Sequence, residues 1–107
     1  MTGEVVVLDV PAANRYEARI DGELAGTAVY RLRPGHITFV HTEVDGAFEG
    51  HGVGSRLAAT ALDDARARGL AVTPRCPFIA AYIRRHRAYG DLLARTKLGR
   101  SEDAAAT

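Results

Sequence analysis

Tryptophan is missing from this chain, and among its 107 residues there are one cysteine, one methionine and four prolines. The lone cysteine, Cys76, excludes an internal disulfide and suits a reducing compartment. Together with four histidines (His36, His41, His51 and His86) it forms no recognisable ligand spacing, so no metal is expected. Long apolar runs are absent too. Val5–Leu8 is too short for a membrane span or the apolar part of a leader, and Met1-Thr2-Gly3-Glu4 carries no basic region. These absences read as a cytoplasmic protein without a membrane partner. Charge of one sign is not in excess: 14 basic residues face 13 acidic ones, for a net charge of +1. With aromatics at 7%, the balance argues against nucleic acid as a partner, since neither a strong field nor stacking platforms are available.

What is present fits one domain over residues 1–107, with one modest core. Glu4–Val10 is rich in β-branched residues and stops at Pro11, which predicts a first strand. Arg15–Ile20 alternates polar and apolar residues, Asp21-Gly22 supplies a turn, and Leu24–Leu32 returns as the partner. Arg33-Pro34-Gly35 is a second turn before a fourth strand, His36–Val44. From Val53 the period changes: Leu57, Ala61, Leu62 and Ala65 recur at helical spacing, with Asp63, Arg66 and Arg68 opposite. Gly69 closes that helix. Leu70–Thr73 reads as a short strand, and Pro77 is placed to start a second helix running into Arg84-Arg85-His86. The tail, 99–107, is polar, Ala-rich and expected to fray. The fold class is α+β: an antiparallel β-meander followed by a βαβ unit, with two helices packed on the sheet.

Between the fourth strand and the first helix lies Glu49-Gly50-His51-Gly52-Val53-Gly54-Ser55. Glycines there admit positive φ and close backbone approach, and the helix behind them presents unbonded N–H groups at its electropositive end. Such a loop suits a phosphate or pyrophosphate. Taken alone it also reads as a plain strand-to-helix connection, because neither Rossmann nor Walker spacing is present.

In its setting the loop resembles the Q/R-x-x-G-x-G/A pyrophosphate loop of the GNAT (general N-acetyltransferase) superfamily. HTEV at His41–Val44, EGHGVGSRLAATALDDARARGL, and PRCPFIAAYIRRH at Pro74–His86 resemble its small single-domain members, over residues 4 to 93. The resemblance implies acetyl-coenzyme A or coenzyme A as co-substrate. It puts the pyrophosphate on the backbone of Glu49, Gly50, His51, Gly52, Val53, Gly54 and Ser55, and the pantetheine beside His41 to Val44, which includes Thr42. Glu49 stands where the superfamily has Gln or Arg. The superfamily's catalytic Tyr has no counterpart, since Ile83 falls nearest its position and Tyr82 one residue off. The helices that larger members carry between strands one and two are missing, which implies an open acceptor side.

For chemistry, N–H groups near Thr42–Val44 can polarise a thioester carbonyl. His41 and Glu43 share one face of their strand, and each can take a proton or serve as an ordinary strand residue. Cys76, before Pro77 and beside Arg75, is a candidate nucleophile or proton donor; its other reading is a small buried residue. Arg84, in the cluster with Arg85, His86 and Arg87, is a candidate phosphate ligand or a solvated helix end. Tyr82 reads as packing, Phe39, Phe78 and Ile79 as core, and Arg66 and Arg68 as surface. The leading function is acetyl-coenzyme A-dependent N-acetylation of an amine, small molecule or lysine, by direct attack or through a Cys76 acyl intermediate. The alternative is a coenzyme A-binding module without catalysis, with a regulatory or interaction role. Both admit a monomer or a homodimer, with Tyr89–Leu98 as one segment able to close the sheet or pair with a partner.

Overall fold

Short turns decide the first half of the fold. In the computed structural model, which describes residues 3–93, β1 (Val5–Val10), β2 (Arg15–Ile20), β3 (Glu23–Arg33) and β4 (His36–Val44) form an antiparallel meander. The β2–β3 turn is Asp21-Gly22, with φ of 50° and 85° at the two residues, the left-handed pair that matches hairpin twist. The expected tail, 99–107, lies outside the described residues. The chain then enters α1 (Val53–Ala67), returns in β5 (Ala71–Pro74), forms α2 (Pro77–Arg85) and, after the turn Arg87–Tyr89, is helical again from Gly90 through the last described residues. Strand order follows chain order, and β5 joins the free edge of β4 in parallel. This is the meander with a βαβ unit that the sequence predicts.

Helix α1 ends as its sequence dictates. Gly69 has φ of 70°, its N–H donates to Arg66 O at 3.1 Å, and Leu70 N–H donates to Ala65 O at 2.9 Å. That bond pair is the Schellman arrangement, which satisfies carbonyls the helix end leaves over. The buried stripe of α1 is Val53, Leu57, Ala58, Ala61, Leu62 and Ala65. It packs on Tyr16, Ala18, Ala28, Phe39 and their neighbours across β1 to β4. Each fully buried leucine there stabilises by about 1.5–3 kcal/mol relative to an exposed one. From α2, Ile79, Tyr82 and Ile83 complete the same core.

The opposite face of the sheet carries no helix among the described residues. Only the turn Pro11–Ala13 joins β1 to β2, and Val6, Leu8, Leu24 and Val40 remain exposed. Glu17 on that face is held by Arg15 at 2.8 Å and Arg19 at 3.0 Å. These two guanidiniums hold its carboxyl below the usual range.

Candidate functional site

The site begins where two strands part. β4 and β5 pair from His36↔Ala71 to Phe39↔Pro74, and one more bond, Cys76 N–H to Phe39 O at 3.0 Å, extends the ladder. Beyond it β4 continues to Val44 with no strand on that side among the described residues. The β3 register explains the parting. Val29 faces His41 and Tyr30 faces Phe39, so Val40 is an extra residue that bends β4 away.

Two other elements converge on the gap. Gly26 in β3 lets α1 lie close: a side chain there would meet Glu43 O at 2.8 Å and Val53 Cγ1 at 2.9 Å. Gly52, at φ 72° and without a side-chain cap, opens α1, and the first helical bond is Arg56 N–H to Gly52 O at 3.0 Å. The amides of Val53, Gly54 and Ser55 therefore stand at the open, electropositive end of the helix. Within the loop, Glu49 N–H is already donated to Gly46 O and His51 N–H to Phe48 O, both at 3.3 Å. Those two amides are engaged internally, which narrows the anion-facing set expected from Glu49 to Ser55. His51 Nδ1 lies 3.0 Å from Phe48 O, turning the ring back onto its own loop.

The start of α2 forms the opposite wall. Cys76 caps α2, is 3% exposed, and places Sγ 3.2 Å from Thr42 Oγ1. Phe78, assigned to the core from sequence, is instead 36% exposed. Its ring covers Gly54, where an added Cβ would lie 2.8 Å from Cζ. The structure thus brings together Thr42, Val44, Cys76 and the head of α1. His41 and Glu43 stand elsewhere. Their β3 partners are Val29 and Thr27, whereas Thr42 faces the fully buried Ala28; alternation puts His41 and Glu43 on the uncovered face. Glu43 and Val44 border a hollow of about 350 Å³ at the end of β4. Arg84 is exposed on the last turn of α2, about 9 Å of helix rise beyond Phe78. No hydrogen bond or ion pair ties it to the loop among the described residues.

Polar contacts far from the gap escape sequence reading. Tyr16 Oη donates to Asp64 at 2.5 Å and Tyr30 Oη to Asp9 at 2.6 Å. Arg68 joins both carboxylates, at 3.2 Å from Asp64 and 3.7 Å from Asp9. Arg66 grips Asp91 and the Ala88 carbonyl at 2.6–2.8 Å. Both arginines are surface residues, as expected, yet each fastens α1 to another element. Tyr82 is buried and stacks on His86, ring centroids 3.9 Å apart, so its place is packing.

Among the described residues no group of three or more His, Cys, Asp or Glu side chains could hold a metal, and no helix is long and apolar enough to cross a membrane. β4 and β5 thus part beside a glycine-opened helix. The chain belongs to the GCN5-related N-acetyltransferases: the model of that family, described as GCN5-related N-acetyl-transferase, matches residues 15–92. A comparison with curated proteins gives no match.

Proposed function

We propose that the protein transfers an acetyl group from acetyl-coenzyme A to an amine, with the thioester held in the gap between β4 and β5. The observation that carries the reading is that gap, with the open head of α1 on one wall and Cys76 on the other. The residues present fit the co-substrate. Amides of Val53, Gly54 and Ser55 suit a pyrophosphate, and the free edge of β4 from Val40 to Val44 suits an extended amide chain such as pantetheine. Backbone N–H groups near Thr42–Val44 then polarise the carbonyl.

In direct transfer the amine nitrogen bonds to the thioester carbon, the carbon–sulfur bond breaks, and the departing sulfur takes a proton. Cys76 supplies that proton from its thiol. The proton lost by the amine leaves through water to His41 or Glu43 on the uncovered face, and the Cys76 thiolate regains a proton from solvent once the coenzyme has left. The Cys76 thiol is within bonding distance of a hydroxyl, Thr42 Oγ1, and among the described residues no base is hydrogen-bonded to it. This supports a proton donor over an acyl-accepting nucleophile, which needs an adjacent base or cation contact to activate it.

Thiol release from acetyl-coenzyme A over a panel of amines tests the reading, with mass spectrometry on the protein. Cys76→Ala should lower turnover by about 100-fold while coenzyme binding persists, and no acetylated protein should accumulate. An acetyl adduct that disappears in Cys76→Ala would move the mechanism to two steps. Unchanged turnover would remove Cys76 from it. Binding without turnover of any amine would leave a coenzyme A-binding module.

A further inference from the structure

On the uncovered face, at the foot of the same gap, a hollow of about 820 Å³ is lined by Arg31 and Arg33 of β3, His36, Thr38 and Val40 of β4, and Thr73 and Arg75 near β5. No carboxylate lines it. Arg15, Arg19, Arg66 and Arg68 are each tied to an acidic residue. Arg31, Arg33 and Arg75 form no ion pair among the described residues, and neither do Arg56, Arg84, Arg85 and Arg87; what sets the three apart is that they line one hollow. The clustering is not a by-product of a basic chain, because the net charge is only +1.

Strand geometry makes the three arginines converge. Arg31 pairs with Thr38 and Arg33 with His36 across β3–β4, while Thr38 pairs with Thr73 across β4–β5. The hollow therefore spans three strands, about 10 Å, with arginines contributed from both sides of β4. His36 Nε2 lies 2.7 Å from Thr73 Oγ1 and fixes the floor. Arg75 immediately precedes Cys76, and Val40 is the residue that bends β4. The hollow thus abuts the gap from the side opposite α1.

We infer that this hollow is the acceptor site, and that it takes an amine whose neighbouring groups are anionic, carboxylate or phosphate. Planar guanidiniums bind both oxyanions in bidentate fashion. Three of them around one hollow repel one another until an anion enters. The acceptor role rests on the acetyltransferase reading; the anion preference does not.

Acetylation rates of aminoethyl phosphate and of lysine peptides flanked by glutamates, glycines or arginines test the inference. Calorimetry with the same compounds and with acetyl-coenzyme A runs alongside, on the wild type, on Arg75→Gln and on the triple change Arg31→Gln/Arg33→Gln/Arg75→Gln. The expected result is a kcat/KM at least ~10-fold higher for anionic acceptors, consistent with one charge-assisted contact or more, shrinking in Arg75→Gln and gone in the triple variant. Acetyl-coenzyme A affinity should stay unchanged. Preference for aminoethyl phosphate indicates a small acceptor, and preference for the glutamate peptide an acidic segment. If no amine is acetylated, the catalytic reading fails, and binding of the anionic compounds that is lost in the triple variant still sustains the anion site. Wild-type preference for the glycine or arginine peptide, no binding of anions, or weakened coenzyme binding in the arginine variants overturns the inference.

Discussion

The hydroxyl of Tyr30 illustrates how single contacts set the behaviour of this domain. Burial, reinforced by its bond to Asp9, pushes the phenol up from 10.0 to about 12. Burial and Asp64 push Tyr16 further in the same direction. Neutral phenol is the bonded form. Its stabilisation is therefore whole below about pH 10, the unfolded value, and is lost as pH rises towards and past about 12. Guanidinium unfolding at a series of pH values should show stability falling over that window, and Tyr30→Phe should flatten the fall. An equal decline in both proteins would mean that the phenol does not carry the effect. Glu17 works in the opposite sense. Arg15 and Arg19 hold its carboxyl low, so its contribution is present at neutral pH and lost on acidification.

At the scale of elements, the site depends on how closely α1 approaches β3 and β4. Gly26→Ala would place a methyl 2.8 Å from a backbone oxygen and 2.9 Å from Val53. Backbone yields less readily than a flexible side chain, so the expected cost is about 1–3 kcal/mol. Denaturant midpoints at constant slope would register it, and coenzyme affinity should fall because the head of α1 shifts. A variant as stable as the wild type would show that α1 is not seated by this contact. Turn chemistry made most elements legible: Asp21-Gly22, Pro34-Gly35, Gly69 and Pro77 each mark a boundary the structure keeps. The bulge at Val40 was not legible, since it carries neither glycine nor proline and arises from register against β3. The Tyr16–Asp64 and Tyr30–Asp9 bonds join residues 48 and 21 positions apart, beyond the reach of local pattern. Phe78 reads as core from the sequence, but the structure puts it over Gly54 at the start of α2 instead.

At the scale of the molecule, one side of the sheet is buried under α1 and α2 while the other carries no helix among the described residues, and β4 and β5 part at the end of their pairing. The glycine loop could be read from sequence because its residues are contiguous. The meeting of Cys76 with Thr42 could not, because it follows from where two strands stop pairing. Coenzyme on the covered side and acceptor on the open side is the division of labour we propose, in a monomer or a homodimer. Calorimetric titration with acetyl-coenzyme A, coenzyme A and ATP, repeated on Gly54→Trp, tests that account most directly. Micromolar binding of both coenzymes, much weaker for ATP and lost when the indole displaces Phe78 and blocks the head of α1, is the result predicted. Absence of binding by either coenzyme would contradict it and leave the glycine loop as a connection between β4 and α1.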